Sequence, residues 1–433
     1  MSIEHLVQHL PPAVRYRREA LDDEQNALWW WDRAARRMVR MDEALAESLA
    51  VEGAGRNGAA IAINESNIDR VRRFLEANRE SLELVRAGVR CGRVQFPELE
   101  EEGGSVSEHA ESMDPLAELP QTWFILAQVH MADRDWAAAA AELIGLGEMG
   151  HMICCGQGLV MHYLMGRAIM AMGLVGIRRL AIGQTLPDTV LADLNTAVER
   201  WIANAGDAAQ CLRVELCTFA LREIDQFAAA AGLEEMVDRL LDRHYANEPV
   251  VEAETASLKD AIEEDDRLAW RRDWILRLLE GHPAAFDKTA TVRMLGEHVA
   301  DEIEDLMPLR RFDVLGRWRR LKRAYRHSRF RSRCRIWPTQ LRPAFPYEYL
   351  GPGDGRQQLA EIEVHVTARR WADMQPPAEA RFEALRQRIH ALPNALGVLI
   401  ADALTPTDLP KHERARRRVL QAVQTELARA LDR

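Results

Sequence analysis

The sequence is short of the residues and segments that mark several large classes of protein. Its 433 residues include only 25 Gly and 18 Pro, too few for a low-complexity or collagen-like chain. Six cysteines are scattered without a CxxC pair, so we expect free thiols in a reducing compartment. The N-terminus has no basic segment followed by an apolar run, which predicts neither a signal peptide nor an anchor. We therefore expect a cytoplasmic globular protein.

Sequence motifs of catalysis are also missing. The chain has no GxSxG elbow, P-loop, HExxH or zinc-type Cys-His spacing, and its 13 histidines occur singly. Carboxylate pairs lie among arginines on predicted helix faces, where solvated ion pairs are the ordinary explanation. We accordingly predict that the protein is not an enzyme and holds no cofactor and no metal.

Two weaker patterns resemble ligand sites. Gly53, Gly55 and Gly58 match the dinucleotide fingerprint, but a charged helical run precedes them instead of a buried strand, so we interpret them as a loop. His151, Cys155 and His162 share one face of a regular helix. A rise of 1.5 Å per residue separates the two histidines by roughly 16 Å, too far for one metal, so a buried packing role is favoured.

The composition favours helix over strand. Ala, Leu, Arg and Glu dominate, Val and Ile are sparse, and aromatic residues make up 6% of the chain. Residues 123–146 have the spacing of one helix-turn-helix repeat of tetratricopeptide type, carried by Trp123, Leu126, Ala127, His130, Trp136, Ala139 and Leu143. We predict an all-α fold, an antiparallel helical-hairpin array resembling a tetratricopeptide α-solenoid, with a less regular C-terminal helical region.

The first third of the chain is predicted to be a helical hairpin region, residues 1–96, followed by an acidic linker, residues 97–118. One helix is expected over residues 21–49. A second is expected to start at Asn67 and to end at Gly88, a residue suited to a left-handed C-cap.

The helical-repeat core is predicted over residues 119–308. Its pattern divides into helices with short Gly, Pro or Asp joints, at residues 119–131, 136–146, 151–173, 187–204 and 208–230. The apolar window 152–177 contains Arg167 near its middle. We therefore expect burial between helices and not a membrane crossing.

The C-terminal part is predicted as a basic, aromatic segment with a Pro-rich crossing, residues 309–355, and C-terminal helices, residues 356–433. Residues 362–366 alternate like a strand, although a helix over residues 356–371 is equally possible. The last helix repeats an apolar side chain every four residues, at Val419, Val423, Leu427 and Leu431. This stripe is expected to dock on the chain's own body or on a second copy.

Several segments together resemble an uncharacterised helical protein family common in planctomycete-type bacteria. The matching segments are Glu24 to Leu28, Leu75 to Leu82 running on to Pro97, the hairpin from Leu119 to Gly150, and Leu392 to Gly397 with the final Arg-rich helix. The resemblance implies a tetratricopeptide-like helical body and brings no activity with it. Family members often have a preceding membrane-spanning segment and a tail like that of pilin-type secretion proteins, and we expect neither here.

One segment departs from the background composition. Residues 310–335, here called the basic segment, contain twelve Lys or Arg against the single acid Asp313, with aromatic residues between them. The remaining chain has 45 basic and 66 acidic residues. The candidate binding residues for an anionic partner are Arg317, Trp318, Arg319, Arg320, Lys322, Arg323, Arg326, Arg329, Arg331 and Arg333.

Two functions remain open at this point. The favoured one is a non-catalytic scaffold or protein-interaction module of the helical-repeat kind, which binds a protein partner or peptide segment, with homo-oligomerisation also possible. The alternative is an anionic-surface binder that uses the basic segment on nucleic acid or acidic membrane. A third arrangement would remove that alternative, because the basic segment could dock on the protein's own acidic helices with its aromatic rings buried.

Overall fold

A computed structural model describes residues 3–16, 21–49, 63–96, 114–183, 185–204, 208–244, 264–306, 379–405 and 409–431, with Phe330, Arg333 and Trp337. Across these residues the regular structure is helical, apart from one isolated parallel bridge between Gln95 and Gln157. The all-α class is therefore confirmed. The finer arrangement, a tetratricopeptide-like array, stays a prediction.

The described α-helices are, in chain order, α1 Ile3–Gln8, α2 Ala27–Arg37, α3 Glu43–Leu49, α4 Ile68–Ala77, α5 Arg79–Cys91, α6 Asp114–Ala132, α7 Trp136–Cys155, α8 Val160–Gly183, α9 Asp188–Ala203, α10 Ala208–Val214, α11 Leu221–Ala228, α12 Leu233–His244, α13 Glu264–Leu279, α14 Lys288–Leu306, α15 Glu379–His390, α16 Ala395–Ala403 and α17 Leu409–Leu431. A π-helical turn, Glu215–Ala220, links α10 to α11. The chain forms two compact units. The first comprises Met1–Tyr16 and Leu216–Leu409, and the second comprises Arg17–Glu215 and Pro410–Arg433.

The single helix predicted over residues 21–49 is wrong. It is divided into α2 and α3, because the side chain of Asn78 binds the backbone between them. Asn78 Oδ1 accepts from the Val39 amide at 2.9 Å, and its Nδ2 donates to the Val39 carbonyl at 3.1 Å. These two bonds hold Val39 outside a helical ladder, and Met38 at the end of α2 is already extended.

The predicted end of the second helix at Gly88 is also wrong. Gly88 lies inside α5, and the left-handed C-cap is Gly92, with φ of 71°. Gly88 is small because the indole of Trp31 packs against it; a methyl group there would meet Trp31 Cδ1 at 2.7 Å. Trp31 is fully buried and donates from Nε1 to the Val85 carbonyl at 3.2 Å.

The predicted hairpin of residues 123–146 is present as α6 and α7, but its second helix is longer than expected. The joint predicted near residues 147–150 does not exist, since α7 continues to Cys155. The real break lies at residues 156–159. There Gln157 leaves the helical path and its amide donates to the Val94 carbonyl at 3.2 Å.

Glycines form the contacts between α7 and α8, and two of them, Gly147 and Gly150, lie in the joint that the sequence wrongly predicted. A methyl group on Gly150 would lie 2.6 Å from the carbonyl oxygen of Gly166, and one on Gly166 would lie 2.8 Å from the Cys154 amide nitrogen. A methyl group on Gly173 would lie 3.0 Å from the Gly147 nitrogen. The two antiparallel helices therefore touch backbone to backbone, which only glycine allows.

Helix α8 is long and apolar enough, by length and composition, to cross a membrane, and is the one such helix among the described residues. A little more than half of the qualifying stretch is buried against neighbouring helices. Core helices of globular proteins have the same character, so this finding by itself is weak evidence for a membrane span.

Helix α17 docks on the second unit with a different stripe from the one predicted. Val423 and Leu427 are buried as expected, but Val419 is 49% and Leu431 is 38% exposed. The buried face is completed by Glu413, Arg416 and Leu420. Alternating steps of three and four residues stay on one side of a helix, whereas successive steps of four rotate away from it.

We expect Gly150→Ala to destabilise the second unit by about 2–3 kcal/mol, because the added methyl group has only backbone to displace. Gly232→Ala, in the first unit, is the control for the glycine-to-alanine change itself, since a methyl group there meets nothing within 4 Å. Urea unfolding followed by tryptophan fluorescence measures both. Equal stability of the two variants would show that α7 and α8 are not in backbone contact.

Candidate functional site

Most of the basic segment lies outside the described residues. Of the ten predicted binding residues only Arg333 is described, and it is exposed. Phe330 within the segment and Trp337 just after it are placed and buried: Phe330 stacks on His298 with ring centroids 4.5 Å apart, and Trp337 Nε1 donates to the Ala395 carbonyl at 3.0 Å. The predicted dinucleotide-like glycines, Gly53, Gly55 and Gly58, also lie outside the described residues.

The predicted face of His151, Cys155 and His162 is not formed. The helix breaks between Cys155 and Val160, so His162 belongs to α8 and its Nδ1 accepts from the Leu159 amide at 2.8 Å. The His162 ring stacks on Phe96 with centroids 3.6 Å apart. Among the described residues no group of three or more His, Cys, Asp or Glu side chains is placed to hold a metal ion.

The most concentrated polar cluster joins α17 to α8 inside the second unit. Tyr163 Oη donates to Glu413 Oε2 at 2.8 Å, and both residues are buried. Arg416 binds the same carboxylate through Nε at 2.8 Å and Nη2 at 3.0 Å. Arg417 Nε donates to the other oxygen, Oε1, at 2.8 Å. Glu413 is thereby fully coordinated by side chains of its own helix and of α8.

Further contacts extend this cluster to α7. Arg416 Nη1 lies 3.5 Å from His151 Nδ1, and Arg167 contacts His412. Burial, followed by the neighbouring Arg416 charge, lowers the pKa of His151 to about 4, so its ring is neutral at pH 7. Burial raises the pKa of Cys154 to about 12, so this thiol is not a nucleophile at neutral pH. The cluster thus joins side chains of α7, α8 and α17.

A second buried carboxylate lies at the N-terminus of α8. Glu215 opens the π-helical turn and accepts from the Val160 amide at 3.0 Å. Burial raises the pKa of Glu215 to about 7, against which the single amide hydrogen bond acts only weakly. A carboxylate at a helix N-terminus is stabilised by the free amides there. Glu215 is presented to them from the first residue of the π-helical turn. No pattern in the sequence indicates this contact.

An aromatic and cationic surface lies on α2 and was not identified from the sequence. Trp29 and Trp30 are partly exposed, with rings edge to face and centroids 4.9 Å apart. The guanidinium carbon of Arg33 lies 4.4 Å from the Trp29 centroid and 5.8 Å from that of Trp30. We call Trp29, Trp30 and Arg33 the tryptophan surface. Of the three consecutive tryptophans only Trp31 is buried, and the sequence alone does not distinguish them.

Comparison with protein-family models, with curated proteins and with solved structures found no match. The class that the structure supports is thus an all-α protein. The resemblance described above stays a prediction.

Glu413→Gln is expected to destabilise the second unit by about 3–5 kcal/mol, because Arg416 then carries a buried charge without its counter-ion. Glu426→Gln is the control on the same helix. Its partner Arg178 is more than half exposed, so the loss there is expected to stay below about 1 kcal/mol. Chemical unfolding of both variants tests this difference, and similar losses would contradict the role given to the Glu413 cluster.

The buried Glu215 and His151 are expected to give opposite pH dependences. Because the pKa of Glu215 is raised in the folded protein, the free energy of unfolding falls as pH rises from 4.5 to about 7. Because the pKa of His151 is lowered, the free energy of unfolding falls as pH drops from 6.5 to about 4. Each shift changes the free energy of unfolding by about 3 kcal/mol over its full pH range. The two changes therefore nearly cancel where the pH ranges overlap.

Glu215→Gln and His151→Gln separate the two effects. Relative to the unchanged protein, Glu215→Gln should gain stability as pH rises from 4.5 to 7, and His151→Gln should gain it as pH falls from 6.5 to 4. Urea unfolding at a series of pH values measures these differences. Parallel curves for all three proteins would exclude both assignments.

Proposed function

We propose that this chain is a non-catalytic helical interaction module that binds a protein partner through the tryptophan surface. One observation carries the proposal: Trp29, Trp30 and Arg33 form an ordered, partly exposed group on α2. Tryptophan and arginine are the residues most enriched among the energetic centres of protein interfaces. Large aromatic side chains that stay at a surface also lose little conformational freedom when a partner covers them.

The chemistry of this surface favours a segment with an acidic side chain. Arg33 is held over the Trp29 ring and, among the described residues, makes no ion pair. A guanidinium whose carbon lies over a ring face can still direct N–H groups to a carboxylate. Neighbouring arginines are already committed, Arg36 to Asp32 and Arg37 to Glu80. Arg33 therefore supplies the positive charge of the surface.

The buried polar groups support a structural use of the interior. Glu413, Arg416 and Tyr163 hold α17 in place, and Glu215 binds the start of α8. The shifted pKa values of His151, Cys154 and Glu215 follow mainly from burial. Each of these groups thus has a role in packing, which is what a scaffold requires.

The test compares partner capture by two double variants. Trp29→Ala with Arg33→Ala removes the tryptophan surface. Ile182→Ala with Arg179→Ala is the control, because it also removes an exposed apolar side chain and an exposed arginine from the second unit. Partners cross-linked in cells that express the protein are identified, and their affinity is measured with purified components. The first variant should weaken binding at least about 30-fold and the control should not.

Three outcomes would overturn this function. A partner bound equally well by both variants would locate the interface elsewhere. A metal or cofactor bound stoichiometrically to the purified protein would favour an enzyme. Retention on nucleic acid or acidic vesicles that falls steeply between two salt concentrations would favour the alternative, an anionic-surface binder.

A further inference from the structure

Two histidine pairs among the described residues of the first unit have rings at the same separation. The ring centroids of His5 and His9 are 5.1 Å apart, and those of His282 and His390 are also 5.1 Å apart. Separation alone therefore does not distinguish the pairs. The hydrogen bonds of the ring nitrogens do, because a nitrogen that is already engaged in a hydrogen bond is not free to ligate a metal ion.

The His282–His390 pair is committed to the backbone of the protein. His282 Nδ1 accepts from the Ala284 amide at 3.0 Å, so the proton of this ring is on Nε2. Nε2 then donates to the Leu392 carbonyl, also at 3.0 Å. Both nitrogens of His282 are thus occupied. The ring joins the segment after α13 to the segment after α15 and serves as an internal comparison for the other pair.

The His5–His9 pair is presented by a turn of helix whose position is fixed from its other side. Leu6 and Leu10, which also lie four residues apart, are buried. His9 is in the turn directly after α1, where its amide bonds to the Leu6 carbonyl at 3.0 Å. His5 is exposed and His9 is partly exposed. Neither ring makes a hydrogen bond or an ion pair in the described part of the chain.

The measured ring separation fits two ligands of one tetrahedral ion. A zinc ion lies about 2.0–2.1 Å from an imidazole nitrogen and hence about 3.2 Å from the ring centre. Two rings that meet at the tetrahedral angle then have centroids about 5.2 Å apart, close to the 5.1 Å between His5 and His9. The right angle of an octahedral or square-planar ion would place them at about 4.5 Å. The ring planes are 82° apart, so the two rings are not stacked on each other.

We propose that His5 and His9 form a binding site for one divalent transition-metal ion, of which zinc fits the ring separation best. The chain supplies two ligands and water completes the coordination. Histidines four residues apart are also the zinc ligands of the HExxH motif, but Leu6 stands here at the position of the glutamate. The site therefore offers metal ligands without the general base that hydrolysis requires.

This site differs from the three-ligand and four-ligand sites that zinc enzymes and zinc folds use. No group of three His, Cys, Asp or Glu side chains is placed for a metal among the described residues, and a pair of ligands lies below that threshold. An ion held by two ligands at a surface exchanges with the solvent, so we expect it to be removed by dialysis against a chelator. Such binding is compatible with the proposed interaction module, whereas a metal retained through that dialysis would lie at another site.

Titration calorimetry of the full chain with zinc chloride tests whether both histidines hold the same ion. The affinity for zinc should fall at least about tenfold in His5→Ala and equally in His9→Ala, because either change removes the second, intramolecular ligand. The double variant should lose little more than each single variant, since the same chelate is lost in all three. Two losses that simply add in the double variant would show independent histidines and would overturn the proposal.

His390→Ala is the matched control for these variants. It removes one histidine from the pair that has the same ring separation, and it leaves His5 and His9 in place. All cysteines are unchanged in every variant, so zinc that binds to thiols contributes equally throughout. His390→Ala should keep the affinity of the unchanged protein. An equal loss of affinity in His390→Ala and His9→Ala would contradict a specific site.

Hydrogen exchange supplies a second measurement that is confined to the site. An ion that joins the two rings binds only the folded turn, so zinc at about ten times its Kd should slow amide exchange at residues 5–10 by about tenfold. The same zinc concentration should leave exchange at these residues unchanged in His9→Ala. Slower exchange elsewhere in the chain without any change at residues 5–10 would place the ion at another site and refute the proposal.

Discussion

The second unit depends on the backbone contact between α7 and α8. Gly147, Gly150, Gly166 and Gly173 let the two helices approach without intervening side chains. Because glycine occupies that face of α8, its bulky and polar residues lie elsewhere, and Tyr163, Arg167 and Arg178 contact α17. The position of the last helix therefore follows from small residues that never touch it.

Buried charge at the contact between α8 and α17 has a clearer role in register than in stability. The apolar stripe Leu420, Val423 and Leu427 would also pack after a shift by one helical turn, about 5.4 Å. Such a shift would separate the buried Glu413 from Tyr163 and, at the surface, Glu426 from Arg178. Replacing a buried ion pair with apolar residues often costs nothing, whereas breaking it is expensive. The charges therefore penalise wrong alignments of α17.

The sequence predicted helices better than the contacts between them. Apolar periodicity located α6, α9 and α17, and the helix predicted over residues 187–204 is α9, Asp188–Ala203. Glycine was misread at Gly88 and at residues 147–150, because a residue that ends a helix and one that admits a neighbouring helix look alike in one sequence. The division of α2 from α3 depends on Asn78, about forty residues away, which no local pattern can reveal. Glu215 and its π-turn were missed for the same reason.

The sequence and the structure point to different residues for contact with other molecules. The basic segment is conspicuous in the sequence, yet Phe330 within it and Trp337 just after it are buried in the first unit. Trp29 and Trp30 belong to no recognisable motif, yet their rings are partly exposed beside Arg33. Composition records which side chains exist, whereas availability depends on what already covers them. A charged run followed by buried rings is therefore weaker support for an external partner than two partly exposed rings beside a guanidinium that makes no ion pair among the described residues.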